Sequence, residues 1–199
     1  WIPYVPGLNS GITDKVFLSN SGPVTLEDPW IRTLLPTNAR ADLVIAVTAK
    51  NNSSAQQEVT LKGVIQPGSI EFTQKISIPH RSAEIKLDKS DFPQLVIHNP
   101  LLWWPNGYGA PNLYTCQFRL CLGEKVSDTQ TTTFGIKRYS YDNEGGVLHL
   151  SINGKRIFVK GANWGMPEYL LRCRGKEYDT KVRLHQEMHF NMIRNWLGS

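Results

Sequence analysis

The stretch LYTCQFRLCL (residues 113–122) alternates apolar and polar side chains from Tyr114 to Leu120. Tyr114, Cys116 and Phe118 are separated by a threonine and a glutamine. Because successive side chains of a β-strand point to opposite faces, this alternation predicts a strand with one face in a core and the other in solvent. An antiparallel sheet that is covered on one side produces this pattern.

Similar short segments fill residues 24 to 136 and end at turn-forming residues. Alternating segments with turn signals about every 8 to 12 residues are typical of an all-β sandwich. We therefore predict a mainly β fold, with an immunoglobulin-like β-sandwich over residues 24–138. The other predicted strands are VTLEDPWIRTLL (24–35, interrupted at Pro29), ADLVIAVTAKN (41–51), EVTLKGVIQ (58–66), SIEFTQKISI (69–78), AEIKLD (83–88), QLVIH (94–98) and VSDTQTTTFGI (126–136).

The cysteines fit this interpretation without a disulfide framework. Tyr114 and Cys116 have the two-residue spacing of the tyrosine corner, but the early strand at 41–51 lacks the partner cysteine. We therefore expect Cys116 to be a small buried apolar residue. Cys121 lies five positions further on and is expected on the opposite face. With Cys173 the count is three, and no C-x-x-C pair suggests zinc.

The pattern changes after about residue 139. The run GGVLHLSINGKRIFVKG (145–161) predicts a β-hairpin, because Asn153-Gly154 between alternating segments favours a tight turn. A helix is predicted from about residue 178 to 189, and a buried strand is predicted at NMIRNW (191–196). Hairpin, helix and strand in this order indicate the truncated start of a β/α barrel at the C-terminus.

Composition excludes several function classes. The chain has 199 residues and a net charge of +5, but its basic residues are scattered, so nucleic acid is not an expected partner. No apolar run reaches the roughly 18 residues of a membrane span, so no membrane partner is expected. His185 and His189 are the ends of HQEMH, which matches no zinc-protease motif. We predict no metal and no cofactor.

Four motifs in order resemble glycoside hydrolase family 2, in particular its β-mannosidase and exo-β-glucosaminidase branch. They are NPLLWWPNGYGAPNLY (99–114), TTFGIKR (132–138), INGKRIFVKGANW (152–164) and NMIRNW (191–196). The segment WIPYVPGLNSGITDKVFLS (1–19) also resembles the last strands of that family's sugar-binding jelly roll. The resemblance implies a fragment: the jelly-roll tail in residues 1–23, the sandwich in 24–138, and a hairpin with the first elements of a truncated TIM-barrel catalytic domain in 139–199.

The resemblance also implies a role for the loop that precedes the strand at 113–122. Its prolines stiffen this loop and its glycines allow sharp turns. Trp103, Trp104 and Tyr108 are therefore expected to pack against the neighbouring jelly-roll and barrel domains. An exposed aromatic platform for sugar is the alternative.

The implied activity belongs to the longer parent protein. The resemblance implies a retaining exo-β-glycosidase that hydrolyses terminal β-mannosides or β-glucosaminides without a cofactor. Both catalytic glutamates would lie beyond residue 199, so this chain is expected to be an inactive scaffold. The parent's partner would be a carbohydrate substrate, and a periplasmic or secreted location would suit it. The alternative is a stand-alone immunoglobulin-like module that binds carbohydrate or protein.

Six residues are candidates for the site, in the segments GANWGMPE (161–168) and NMIRNW (191–196). The resemblance implies that Arg194, in an Asn-x-x-Arg pattern, orients the nucleophilic carboxylate and lowers its pKa. The others are expected to line a sugar subsite: Asn195, Trp196, Asn163, Trp164 and Glu168, the last one position earlier than the family's acidic residue. For Trp164, packing under the hairpin is the alternative to a site role.

A further expectation concerns residues 139–199 without their barrel. We expect them to be poorly ordered or packed in a non-native way on the sandwich, with a homodimer through the exposed apolar surface as one outcome.

Overall fold

The computed structural model describes Ile12, residues 15–164 and residues 175–195. Within these ranges the chain forms strands, a short 3-10 turn (Pro93–Leu95) and one α-helix. The strands are β1 (Val24–Thr37), β2 (Arg40–Asn51), β3 (Gln57–Gln66), β4 (Ile70–Ile78), β5 (Arg81–Leu87), β6 (Val96–His98), β7 (Tyr114–Leu122), β8 (Lys125–Phe134), β9 (Tyr139–Glu144), β10 (Val147–Ile152), β11 (Lys155–Ile157), β12 (Gly161–Trp164) and β13 (Met192–Asn195), with α1 at Lys176–Glu187.

Two antiparallel four-stranded sheets share one core. The first has the order β1-β2-β5, with β6 pairing the other end of β2, and the second has the order β4-β3-β7-β8. Fully buried side chains from both sheets form the core, among them Leu43, Ile45 and Phe118. The fold is therefore mainly β and consistent with the predicted sandwich, and no closed barrel forms within the described residues.

The alternation seen in the sequence decides which side chains reach this core. In β7, Tyr114, Cys116 and Phe118 are buried while the residues between them are exposed. The ring of Phe72 meets Phe118 edge to face, with centroids 6.0 Å apart. A side chain at Gly63, which pairs with Phe72 across β3 and β4, would collide with that ring. Glycine at this position thus lets the aromatic ring pack against the backbone.

Strand β1 bends where the sequence predicted an interruption. The register with β2 shifts between Glu27 and Trp30, and Asp28 has a φ of 51° just before Pro29. Proline cannot donate a ladder hydrogen bond, so a bulge at this edge strand accommodates it.

Side chains of β8 connect the two sheets at this edge. The buried Ser127 hydroxyl accepts a hydrogen bond from Val24 N (3.1 Å) and donates one to Val24 O (2.6 Å). The Asp128 carboxylate accepts a hydrogen bond from Leu26 N at 2.8 Å. Backbone groups of β1 that have no strand partner on this side are therefore satisfied by β8.

One carboxylate is buried in the sandwich. Asp42, 4% exposed, contacts Arg40 Nε at 2.8 Å and Lys89 Nζ at 2.7 Å. Hydrogen bonds first from Arg40 and then from Lys89 hold the pKa of Asp42 below its usual value. The carboxylate therefore stays ionised at neutral pH and joins β2 to the turn after β5.

The tyrosine corner is present. Tyr114 Oη accepts a hydrogen bond from Leu101 N at 2.9 Å, and its ring stacks on Phe134. Cys116 lies fully buried in the core as predicted, and burial raises the pKa of its thiol to about 12. Cys121 is also buried, outside the core cluster, and both thiols are free.

The predicted hairpin is confirmed, but one strand was missed. Asn153 and Gly154 join β10 to β11 with φ values of 54° and 80°, as a two-residue turn of this type requires. Residues 139–144, for which no strand was predicted, form β9, which is joined to β10 by Gly145 and Gly146. Paired glycines allow the same positive φ, so Gly145-Gly146 in the sequence could have predicted a second hairpin.

The C-terminal elements form a β-α-β unit. α1 begins two residues earlier than predicted and ends at Glu187, and β12 and β13 pair in parallel. The expectation that the 191–196 strand is buried was wrong, since all four residues of β13 are exposed. Among the described residues β13 pairs only with β12.

We predict that Tyr114→Phe lowers the free energy of unfolding by about 1 to 2 kcal/mol, because Leu101 N loses its acceptor. Urea unfolding curves measure this. Tyr141→Phe, which removes the same atom from a ring that is 79% exposed, should change it by less than about 0.5 kcal/mol. Equal effects of the two substitutions would refute a structural role for the corner.

Candidate functional site

The irregular segment at residues 99–113, here called the Trp loop, is densely hydrogen-bonded. Within it, Trp104 N donates to Ala110 O at 3.1 Å and the Asn112 amide donates to Leu102 O at 2.9 Å. A Cβ at Gly109 would lie 2.8 Å from the Trp104 ring, so glycine permits this close approach. The loop is therefore folded upon itself.

The Trp loop is fastened to the sandwich through Trp103. Trp103 N donates to Ile136 O at 2.9 Å, and a Cβ at Gly135 would lie 3.0 Å from Trp103. Lys137 Nζ stands 3.9 Å from the centroid of the Trp103 ring. At that distance the cation interacts with the ring's negative face, which contributes about 0.5 to 1 kcal/mol at an exposed site.

Asn153 joins the Trp loop to the hairpin and the sandwich. Its side chain donates to Trp103 O at 3.0 Å and accepts from Arg138 N at 2.9 Å. Its backbone N donates to Arg138 O at 2.9 Å, and its carbonyl accepts from the Asn38 amide at 3.0 Å. Asn153 is 3% exposed. The sequence revealed this residue only as a turn former, because partners so distant in the chain leave no local signal.

Two further residues of the Trp loop contact the C-terminal unit. Tyr108 Oη accepts a hydrogen bond from Phe158 N at 2.8 Å, just before β12. The Asn106 amide donates to Gln186 O at 2.9 Å and to Phe190 O at 3.0 Å, at the end of α1. Trp103, Trp104 and Tyr108 are all half-buried. Their predicted packing against neighbouring domains stays a prediction, although the loop touches the hairpin, β12 and α1 within this chain.

The parallel pair β12–β13 brings two of the predicted site residues together. Asn163 and Arg194 are register partners, and Arg194 Nη1 donates to Asn163 Oδ1 at 3.2 Å. Both are exposed at the C-terminal end of their strands. Within the described ranges no carboxylate pairs with Arg194. The guanidinium is thus held by an amide oxygen and keeps donors for a further acceptor.

Trp164 and Asn195 are also register partners, with different surroundings. Trp164 is buried and stacks on Tyr178 with centroids 6.0 Å apart, while the His185 ring lies at 5.3 Å. This indole packs against α1, whereas Asn195 is exposed. Glu168 and Trp196 lie outside the described residues.

One group of side chains in the described part of the chain has metal-ligating spacing. Ligand atoms of Asp142, Glu144 and His149 lie within 4.8 Å of one another. The two carboxylates are exposed, and His149 Nδ1 lies 2.9 Å from Asp142 Oδ1 as a cross-strand pair. Cross-strand pairing accounts for the cluster.

Of the histidines in HQEMH, His185 bonds through Nδ1 to Lys181 O at 2.7 Å and serves packing.

A cavity of about 1020 Å³ lies on the hairpin beside Tyr108. Its walls include apolar side chains that are mainly exposed, such as Leu148 (70%) and Phe158 (73%). A second cavity of about 370 Å³ separates the Trp loop from α1. Apolar side chains are therefore exposed together on this face of the hairpin. No helix in the described ranges has the length and apolar character needed to cross a membrane.

Comparison with known proteins finds relatives that are similar along nearly the whole chain. A sequence model of glycosyl hydrolases family 2 matches residues 24–137, more than half of the chain. The chain is 33% identical over 210 residues to a mannosylglycoprotein endo-β-mannosidase of Lilium longiflorum, covering 100% of this chain and 22% of that protein. It is 31% identical over 198 residues to an exo-β-D-glucosaminidase of Streptomyces avermitilis, covering 98% of this chain and 22% of that protein. The chain thus spans about a fifth of the length of these curated relatives.

The fold is similar to a solved structure as well. A crystal structure of an Amycolatopsis orientalis exo-chitosanase superimposes with a TM-score of 0.79 and 22% identity, covering 90% of this chain and 20% of that one.

We predict that Asn153→Gly lowers the free energy of unfolding by about 2 to 3 kcal/mol, because Trp103 O and Arg138 N lose their partners. Glycine keeps the positive φ, so the substitution isolates the side-chain amide. Asn143→Gly makes the same replacement at an exposed position of β9 and should cost less than about 1 kcal/mol. Denaturant unfolding curves measure the free energy of unfolding of both variants, and intact mass spectrometry verifies each substitution. Similar losses at both positions would contradict the role of Asn153.

Proposed function

The chain belongs to the glycosyl hydrolases of family 2, and from this we propose that it is the non-catalytic scaffold part of a longer retaining β-glycosidase. The parent would hydrolyse β-mannosides or β-glucosaminides without a cofactor. The observation that carries the proposal is the similarity along the full chain to two glycosidases of which it spans only 22%. Most of such an enzyme, including its catalytic carboxyl groups, would lie outside these residues.

The proposed layout follows the order of the elements along the chain. Residues 24–138 would form an immunoglobulin-like sandwich, and residues 139–199 would begin a (β/α)₈ barrel. The parallel β12-α1-β13 unit supports the second part, because parallel strands joined by a helix are the repeating unit of such barrels. A two-stranded parallel sheet is marginal alone and suits a place beside further strands.

The proposed chemistry assigns Arg194 to the support of a catalytic carboxylate. Active sites of β/α barrels lie at the C-terminal ends of the strands, where Arg194 and Asn163 meet. A cation there would orient an incoming carboxylate and lower its pKa. Asn195 and Trp196 would line the sugar subsite beside it. Glu168 keeps its proposed role in sugar contact, and the buried Trp164 would support the site through packing.

The chain's own acids give little support for catalysis by this part alone. Retaining glycosidases need two carboxyl groups about 5 to 5.5 Å apart in two different environments. Asp142 and Glu144 are close enough, with ligand atoms within 4.8 Å. However, both face solvent on one strand of a hairpin. Their surroundings are alike, so nothing would make one carboxyl group the acid and the other the nucleophile.

The stand-alone binding module receives less support. An aromatic sugar platform needs a free ring face, yet Lys137 covers Trp103 and Gly109 packs against Trp104. The same contacts suit a loop that joins domains. The exposed apolar hairpin face would then be covered by the rest of the parent, and a homodimer through it is one outcome when the chain is isolated.

We predict that the longer parent hydrolyses a nitrophenyl β-mannoside or β-glucosaminide while this chain shows no rate above buffer. A panel that includes the β-galactoside measures both side by side. An oligosaccharide with an internal β-mannosyl linkage separates exo from endo cleavage, since the two relatives differ in this respect.

Two results would overturn the proposal. The first is hydrolysis by this chain that Glu144→Gln abolishes, which would place the catalytic pair on the hairpin. The second is an inactive parent that binds glycans, which would favour the binding module.

A further inference from the structure

The side chain of Asn106 leaves the Trp loop and contacts the end of α1. Its single amide nitrogen donates to two carbonyls, Gln186 O at 2.9 Å and Phe190 O at 3.0 Å. The last carbonyls of a helix have no partner within the regular helix. Gln186 O accepts from His189 N in the turn that ends α1, and Asn106 adds a second donor to it. Here the donor lies 80 residues away from Gln186 in the chain.

The end of α1 has the hydrogen bonds of a Schellman motif, with a histidine in the place that usually holds glycine. Phe190 N donates to His185 O and His189 N donates to Gln186 O, both at 3.0 Å. His189 has a φ of 60°, which is unfavourable for a residue with a side chain. The rings of His185 and Phe190 meet at 5.6 Å. Hydrogen bonds from outside the helix help to offset the conformational cost of this turn.

The turn continues directly into β13. Asn191 N donates to Lys160 O at 2.9 Å, and the Asn191 side chain accepts from Lys160 N at 3.0 Å. These bonds set the register of β13 on β12, which places Arg194 opposite Asn163. A shift of the turn after Phe190 would move Arg194 relative to its partner.

We propose that Asn106 is a positioning residue that holds the α1–β13 turn in place and thereby fixes Arg194 against Asn163. The sandwich thus sets the geometry of a barrel site that it does not touch. The catalytic consequence rests on the proposed function, whereas the structural one stands on the contacts of this chain alone. Asn106 itself does not contact Arg194, so its effect passes through the backbone of the turn.

The substitution Asn106→Asp tests this with little change in shape, because a carboxylate cannot donate to the two carbonyls. Asn112→Asp is the matched control, because it makes the same replacement in the same loop. The Asn112 amide donates to Leu102 O and not to the end of α1. Asn106→Ala is a second test variant that removes the bonds without adding charge. Circular dichroism of each variant checks that the sandwich is folded.

The first measurement is hydrogen exchange with mass spectrometry on this chain. Asn106→Asp and Asn106→Ala should speed exchange of the 188–192 amides roughly tenfold, with β3 and β7 unchanged, because local opening follows lost hydrogen bonds. Asn112→Asp should leave the 188–192 amides as they are. Unchanged exchange in both Asn106 variants, or equal acceleration in the control, overturns the proposal.

The second measurement uses the longer parent and its preferred nitrophenyl glycoside. Asn106→Ala should lower kcat roughly tenfold or more with KM changed less than about twofold, because a misplaced cation acts on the transition state more than on substrate binding. Asn112→Asp should keep kcat within about twofold. An unchanged kcat in an active parent overturns the positioning role. A wild-type parent without hydrolysis refutes the proposed function instead, and the exchange data still decide whether Asn106 holds the turn.

Discussion

The hydrogen bonds of the Asn153 side chain are the interaction on which the arrangement of the chain depends. This one amide links the hairpin turn to Trp103 in the Trp loop and to Arg138 at the end of the sandwich. The residue is 3% exposed, so an unmatched group there would carry the full cost of burial. A turn residue chosen for its positive φ therefore also specifies how the hairpin sits on the sandwich.

The Trp loop extends this connection to the C-terminal unit. Its prolines reduce the freedom of the unfolded segment, and its internal hydrogen bonds leave few conformations open. Tyr108 reaches the chain just before β12, and Asn106 reaches the chain just before β13. Both strands of the parallel pair thus begin at points held by the same loop. The Trp loop is therefore a physical connection between the sandwich and both strands of the parallel pair.

The sequence predicted the elements that short stretches of the chain determine, and it missed the contacts between residues far apart in the chain. The strands of the sandwich follow from period-two alternation, and the Asn153-Gly154 turn and α1 follow from short patterns. The partners of Asn153 and Asn106 lie 50 and 80 residues away, so no window along the chain shows them. The exposure of β13 was also unpredictable, since NMIRNW has a buried strand's composition and burial depends on neighbours. For Trp164 the alternative to a site role was packing under the hairpin, whereas its ring packs on α1. The domain boundaries stay predictions.

Backbone ¹⁵N relaxation of this chain in solution shows whether the Trp loop holds the sandwich, the hairpin and the β12-α1-β13 unit as one body. We expect amides of β3 and β7, of β10, and of α1 to report the same overall rotational correlation time. Faster tumbling of β10 and α1 than of the sandwich would contradict it. That result would mean that the contacts of Asn153 and Asn106 do not persist in solution.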